Sequence, residues 1–179
     1  MHLESPRLQL QPLAAADASF ILALLNTPGF LQFIGDRQVR TMPHAEAYVA
    51  KIMADENIAY WMVRRKEDGV LIGTVTFIQR DYLKYRDIGY AFLPQYSGQG
   101  YALEAVVAVL KHYLETYREP SIMATVLASN APSIRLLQRL GLRYESDLKL
   151  DQSEERDLHL YSVAREELVR NLSAFSLPT

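Results

Sequence analysis

The sequence predicts a mixed α/β (α+β) domain in which helices flank a curved, mostly antiparallel sheet of about seven strands. Runs of branched and aromatic residues, which favour strands, occur at residues 7–12, 59–64, 70–77, 87–93, 121–127, 143–148 and 158–163. Apolar residues at helical spacing separate only some of these runs. Few strand–helix–strand crossovers are therefore expected, which favours a mixed sheet over a parallel one.

The composition is that of one globular domain, which we assign to residues 5–170, followed by a tail at residues 171–179. Of the 179 residues, 49% are apolar and 22% are charged, as in ordinary globular proteins. The net charge of −2 argues against nucleic acid as a partner. No apolar run reaches the roughly 20 residues that span a bilayer, and no signal peptide is recognised. We expect a cytoplasmic protein, monomeric or homodimeric, with no membrane partner.

Two helices are predicted between the first two strands. Asp17 can cap the first helix, which the breaker at residues 27–29 ends. Residues 30–40 show no periodicity and are predicted to be irregular. Thr41, with Pro43 in the first turn, begins the second helix.

The other connections are turns, except near the chain end. Residues 67–69, Glu-Asp-Gly, predict a hairpin turn. Residues 149–156 predict a charged turn between the last two strands. Residues 164–174 predict a terminal helix or tail, with Leu168 and Leu172 available to dock it.

Residues 87–114 carry the strongest functional signal. The strand at residues 87–93 runs directly into a turn containing Gly98 and Gly100, and a helix follows at once. Such a turn directs several backbone N–H groups and the positive end of a helix dipole at one point, which suits a pyrophosphate. The turn is not a P-loop, since Tyr101 follows Gly100 where a lysine is required. It is not a Rossmann fingerprint, since Leu103 stands at the third glycine position.

Residues 92–105 resemble the coenzyme A loop of the GCN5-related N-acetyltransferases, and most of all the branch of the ribosomal-protein alanine acetyltransferases. The superfamily pattern Gln/Arg-x-x-Gly-x-Gly/Ala falls on Ser97, Gly100 and Ala102, so the first position departs from it. Residues 127–142 resemble the second signature of the same family, with Asn130 followed three residues later by Ser133. Local structure explains Asn130 equally well, as the N-cap of a short helix.

The resemblance implies that the strands at residues 87–93 and 121–127 splay apart and that acetyl-CoA, the co-substrate, lies in the gap. Backbone N–H groups near the turn would hold the pyrophosphate, and an N–H of Phe92 or Leu93 would polarise the thioester carbonyl. The cofactor-binding residues implied are Phe92, Leu93, Gly98, Gln99, Gly100, Tyr101, Ala102, Asn130 and Ser133.

The resemblance also implies a general base and a general acid. Asp87, at the start of the central strand, is the first candidate for the base. Many relatives place an acidic tyrosine seven residues after the motif asparagine, but Leu137 stands there and cannot donate a proton. Tyr90, Tyr144 and Ser133 are the candidates in its place. Ser133 is equally well explained by the chemistry of a helix start.

Neither a metal nor a triad is expected. The chain has no cysteine, hence no zinc–thiolate site and no thiolate nucleophile. The four histidines show no metal spacing, and His112 lies opposite the apolar stripe of its helix, where solvent is expected.

The predicted function is transfer of the acetyl group of acetyl-CoA directly to a primary amine, either a protein N-terminus or a small molecule. The alternative is a non-catalytic acyl-CoA sensor or partner-binding module, which Leu137 and Ser97 favour. A fold relative with a different acyl or aminoacyl donor is a third possibility. The acceptor walls would come from the N-terminal helices, the loop at residues 149–156 and the link at residues 82–86, which is otherwise a plain turn. Four cations, Arg37, Arg40, Lys84 and Arg86, weakly indicate an acidic acceptor.

Overall fold

The computed structural model describes residues 2–149 and 157–175. It contains eight strands: β1 (Leu3–Glu4), β2 (Leu8–Pro12), β3 (Ile58–Arg65), β4 (Leu71–Ile78), β5 (Asp87–Phe92), β6 (Ser121–Leu127), β7 (Arg143–Leu148) and β8 (Leu158–Ala164). It contains six α-helices: α1 (Ala18–Leu25), α2 (Pro28–Phe33), α3 (Met42–Met53), α4 (Tyr101–Thr116), α5 (Ala131–Arg139) and α6 (Arg165–Ala174). None of the helices in this described part is long and apolar enough to cross a membrane.

One sheet of order β1-β2-β3-β4-β5-β6-β8-β7 organises the molecule, and helices cover both of its faces. Helices α4, α5 and α6 pack on one face through residues such as Leu110, Leu137 and Leu168. Helices α1, α2 and α3 pack on the other, around Met62 of β3. Every neighbouring pair of strands is antiparallel except β5 and β6. The predicted fold class is confirmed, with β1 as an eighth strand that the sequence did not show.

Strands β5 and β6 separate soon after they begin. They share one register pair, Asp87 with Met123, and the Met123 N–H donates to the Arg86 carbonyl at 3.0 Å. Strand β5 is paired along its full length with β4 on its other side, and β6 with β8. A V-shaped gap therefore opens between β5 and β6, as the resemblance implied.

The N-terminal helices differ from prediction in two places. Helix α1 ends at Leu25, as predicted, but residues 27–29 also begin α2, so residues 30–33 are helical where an irregular segment was predicted. The Thr27 hydroxyl accepts from the Phe30 N–H at 3.3 Å, and Pro28 is the first helical residue. The Asp17 carboxylate accepts from the Ala14 N–H at 2.9 Å rather than from α1.

Three further local predictions are confirmed. Thr41 caps α3, accepting from the His44 N–H at 3.4 Å. Gly69 sits in the hairpin turn with φ +72°. Leu168 and Leu172 of α6 are buried. Most of the predicted charged turn, residues 150–156, lies outside the described residues.

Candidate active site

Strand β5 presents an unpaired backbone edge to the gap. The Leu93 N–H donates to the Ile72 carbonyl at 2.9 Å, and Phe92 stands opposite Gly73. In an antiparallel ladder, bonded and non-bonded pairs alternate, so the backbone groups of Gly89 and Ala91 also point to β4. The backbone groups of Tyr90 and the N–H of Phe92 point away from β4 and therefore into the gap. Leu93 is thus unable to offer its N–H to a ligand, whereas Phe92 can.

The turn after β5 contains a row of N–H groups that have no acceptor among residues 2–149 and 157–175. The Ser97 N–H donates to the Pro94 carbonyl at 3.1 Å, and the Glu104 N–H to the Gly100 carbonyl at 3.1 Å. Between them, none of the N–H groups of residues 98–103 donates to an acceptor in the described part of the chain. Gly98 and Gly100 adopt φ of +74° and +81°, which turns the backbone so that α4 can begin at Tyr101. A row of free donors at the start of a long helix fits a pyrophosphate.

A salt bridge to the N-terminal segment braces this turn, and sequence reasoning missed both partners. Glu104, in the first turn of α4, is 1% exposed and bonds Arg7, which precedes β2. The spacing in the sequence could have indicated that Glu104 is buried, because it lies three residues before Val107 and so falls on the face of α4 that packs in the core. Its partner could not be found from the sequence because the two residues are 97 positions apart.

Tyr90, Ser133 and Asn130 are brought together at the gap. The Tyr90 hydroxyl lies 2.7 Å from Ser133 Oγ and donates to the Ser133 carbonyl at 3.2 Å. The Asn130 side chain accepts from the Ser133 N–H at 3.2 Å, so its predicted capping role is confirmed. Burial raises the pKa of Tyr90 to about 12, although the Ser133 hydrogen bond acts against this. Tyr90 therefore holds its proton at neutral pH and can donate it.

The other two positions considered for the acid lie elsewhere. Leu137 is buried in the core. Tyr144 is exposed on β7, at the far edge of the sheet, where its hydroxyl donates to Asp147 at 2.8 Å. Two strands, β6 and β8, separate it from the gap edge of β5.

Asp87 lies at the closed end of the gap, on the opposite face of the sheet from Tyr90. Asp87 and Tyr90 are three residues apart on one strand, and alternate residues of a strand face opposite sides. Both carboxylate oxygens of Asp87 accept from Arg80 Nε, at 2.9 and 3.0 Å. Burial raises the pKa of the Asp87 carboxyl above its usual value, and the Arg80 guanidinium acts against that shift.

The N-terminal helices, one of the segments expected to form an acceptor wall, lie beside the open end of β5. Ala91 and Leu93, at the open end of β5, pack against the cluster formed by α1, α2 and α3. Of the four cations, Arg40 pairs with Asp36, Arg86 pairs with Glu119, and Lys84 lies over the Tyr85 ring. These pairings weaken the indication of an acidic acceptor.

Two histidines have surroundings that the sequence did not indicate. His112 packs edge-on against Trp61, with ring centroids 5.6 Å apart, so it is half-buried rather than solvated. His159 lies with Asp147 and Asp157 in a cluster whose ligand atoms are within 4.8 Å of one another. Cross-strand pairing of β7 and β8 creates this group, which linear spacing cannot reveal. Both of its carboxylates are exposed, and it lies away from the gap.

Comparison with known proteins identifies the family and supports the fold. A family model for the acetyltransferase (GNAT) domain matches residues 7–143, which include the splayed strands, the turn and α5. YnaD of Bacillus subtilis, an uncharacterised N-acetyltransferase, is 28% identical over 170 residues, covering 93% of this chain and 99% of its own.

Two solved structures share the fold. Spermidine N-acetyltransferase from Vibrio cholerae, in complex with CoA and spermine, superposes with a TM-score of 0.79 at 18% identity, covering 92% of this chain and 99% of its own. A Vibrio cholerae protein provisionally described as a ribosomal-protein-serine acetyltransferase superposes with a TM-score of 0.74 at 19% identity, covering 92% and 97%.

The family match covers most of the chain and includes the β5 edge, the free N–H groups and the Tyr90–Ser133 pair. The chain therefore belongs to the GNAT acetyltransferases and is an acetyl-CoA-dependent acetyltransferase.

Proposed function

We propose that this chain transfers the acetyl group of acetyl-CoA directly to a primary amine, on a protein N-terminus or on a small molecule. The observation that carries the proposal is the row of free N–H groups at residues 98–103 beside the unpaired edge of β5. The row suits the pyrophosphate, and the edge suits the amide-containing pantetheine arm, which can bond to it as an added strand does.

The residues of the gap supply the remaining functions. Acetyl-CoA, when bound, contributes an acetyl carbon activated as a thioester. The Phe92 N–H polarises the acetyl carbonyl, as a fixed dipole facing developing charge. Holding amine and thioester side by side contributes most of the rate, because it replaces an encounter in solution.

Proton transfer is divided between the two faces of the sheet. Asp87, on the face that α1 and α3 cover, takes the proton that the attacking ammonium must lose. The transfer runs through water, because Asp87 and Phe92 stand at opposite ends of β5. Tyr90, on the face of α5, gives its proton to the sulfur as the C–S bond breaks. The nitrogen loses its second proton as the C–N bond forms, and that proton passes through water to restore the Tyr90 hydroxyl. Ser133 orients the Tyr90 hydroxyl, and Asn130 orients Ser133 by capping α5.

The similarities to known acetyltransferases suggest two classes of acceptor. The branch resemblance of residues 92–105, together with the fold shared with the ribosomal-protein-serine protein, favours a protein N-terminus. The fold shared with the spermidine enzyme keeps a polyamine as the second candidate. We rank the protein N-terminus first because the sequence motifs themselves favour it.

The test is release of the CoA thiol in the presence of an acceptor panel. Peptides with free N-terminal alanine or serine, their N-formylated counterparts, spermidine and free amino acids are incubated with acetyl-CoA. We expect thiol release with a free amine only, with mass spectrometry showing one added acetyl group. A protein that binds CoA and turns over none of these amines would support the non-catalytic module instead.

A further inference from the structure

The Arg7 side chain contacts the turn at residues 98–103 and the first turn of α4. Its Nε and Nη2 both lie 2.7 Å from Glu104 Oε2, and its Nη1 donates to the Gln99 carbonyl at 3.2 Å. Its guanidinium carbon sits 4.4 Å from the centre of the Tyr101 ring. Arg7 thus holds three residues that flank or form the row of free N–H groups.

Glu104, the carboxylate that Arg7 bonds, is fully buried beside the turn at residues 98–103. Glu104 Oε1 accepts from Ser5 Oγ at 2.7 Å and from the Arg7 N–H at 2.8 Å, while Oε2 is bonded by the Arg7 guanidinium. Glu104 lies in the first turn of α4, where a carboxylate is attracted by the positive helix end. An anionic ligand at residues 98–103 would be attracted by the same helix end, so an unneutralised Glu104 would oppose its binding.

We propose that Arg7 is a positioning residue for cofactor binding: it fixes the turn at residues 98–103 through Gln99 and Tyr101 and neutralises Glu104 beside the pyrophosphate position. The inference rests on the proposed function, since it assumes that this turn holds the pyrophosphate of acetyl-CoA. The N-terminal segment, although it lies outside both sequence signatures, would then control the affinity for the phosphate end of the cofactor.

The guanidinium is suited to this role in a way that lysine is not. Its planar fork bonds Glu104 through two nitrogens and still reaches the Gln99 carbonyl with the third, whereas an ammonium is a single point of charge. One third of the side chain is exposed, and Nη2 lies 3.5 Å from the position that a Cβ on Gly100 would occupy. The positive charge is therefore beside the turn as well as against Glu104.

The test measures the Kd of CoA by titration calorimetry for three variants of the full chain. Arg7→Gln is expected to weaken CoA binding about tenfold or more, because Glu104 loses its ion-pair partner and keeps only its hydrogen bonds to Ser5 and to the backbone N–H of residue 7. Arg7→Lys, which keeps charge without the fork, should weaken it by less. Adding Glu104→Gln to Arg7→Gln should recover at least about threefold, since the opposing charge is then removed. Simple damage to the fold would give no such recovery.

Two controls separate this role from a general effect. Lys66→Gln removes a cation that pairs with exposed Glu4 in the same region, at 2.9 Å, and should leave the Kd of CoA within about twofold. S-acetyl-pantetheine lacks the pyrophosphate, so Arg7→Lys should leave the kcat/KM of this substrate unchanged. With acetyl-CoA as the substrate, Arg7→Lys should raise KM and leave kcat constant.

The outcomes are distinguishable. Failure of the wild-type chain to bind CoA would contradict the proposed function together with this inference. CoA binding by folded Arg7→Gln or Arg7→Lys chains as tight as by wild type would overturn the inference alone. If Arg7→Gln does not fold, the Arg7→Lys and double variants decide.

Discussion

Half-buried Tyr90 and buried Asp87 are two titratable groups on one strand, and their surroundings suit them to different tasks. Tyr90 retains its proton, since burial raises its pKa to about 12, and its hydroxyl is held by Ser133. Asp87 is held by Arg80 at the closed end of the gap. A group that keeps its proton suits the role of acid, and a carboxylate suits that of base.

Replacing Tyr90 by phenylalanine should lower kcat about 100-fold, because the departing thiolate loses its proton donor while the ring still fills its site. The KM of acetyl-CoA should change little, and steady-state kinetics with the best amine of the panel measures both. Ser133→Ala, which frees the hydroxyl without removing it, should cost less. Tyr144→Phe is the matched control and should behave as wild type. Full activity of Tyr90→Phe would rule out Tyr90 as the acid.

The role of Asp87 is tested by the pH dependence of kcat. Burial raises its pKa and Arg80 lowers it, so an acidic limb should lie above the usual carboxyl value of 3.8. Arg80→Gln removes the opposing positive charge, so the limb should move to higher pH. Asp87→Asn should lower kcat and abolish the limb. If Asp87→Asn keeps an unshifted acidic limb, another group is the base.

The turn between β5 and α4 is the element on which cofactor binding depends. Gly98 and Gly100 both have left-handed backbone conformations, and Gly100 is the N-cap of α4. An L-residue in that region costs roughly 1–2 kcal/mol. An alanine substituted for a left-handed glycine outside the turn introduces the same backbone strain and therefore provides a control.

Gly98→Ala and Gly69→Ala form such a matched pair. Their φ values are +74° and +72°, and a Cβ at either position would meet no atom within 4 Å. Both variants should lose a similar free energy of unfolding, roughly 1–2 kcal/mol, measured by denaturant titration. Only Gly98→Ala should also weaken CoA binding, because the strain reorients the free N–H groups. Equal CoA affinity in the two variants would show that the turn geometry does not matter.

Helix α2 shows why one element could not be predicted. Its six residues are too few to display an apolar period, and Thr27-Pro28-Gly29 has the composition of a breaker. The same Thr-Pro pair is also a helix start, since threonine caps and proline suits the first position. The composition is compatible with both, although only the breaker was predicted, and the packing of Phe30 in the core favours the helix start.

At the scale of the whole molecule, the sequence predicted the sheet and the turn, because each depends on a local pattern. The gap was expected only from the resemblance to the acetyltransferase family, which is based on motifs contiguous in the chain. It could not predict which distant side chains meet. Arg7 with Glu104, Arg80 with Asp87 and Tyr90 with Ser133 are paired by the tertiary fold. The engagement of the Leu93 N–H likewise depends on the register between β4 and β5.

The central claim is that the free N–H groups of residues 98–103 hold the pyrophosphate of the cofactor. Titration of the ¹⁵N-labelled protein with CoA, followed by amide NMR and with NADH as control, tests it residue by residue. The account predicts that CoA causes its largest shifts at residues 98–103, with further shifts at Tyr90 and Phe92, and that NADH causes none of comparable size. Saturable CoA binding that leaves the amides of residues 98–103 unshifted would contradict it.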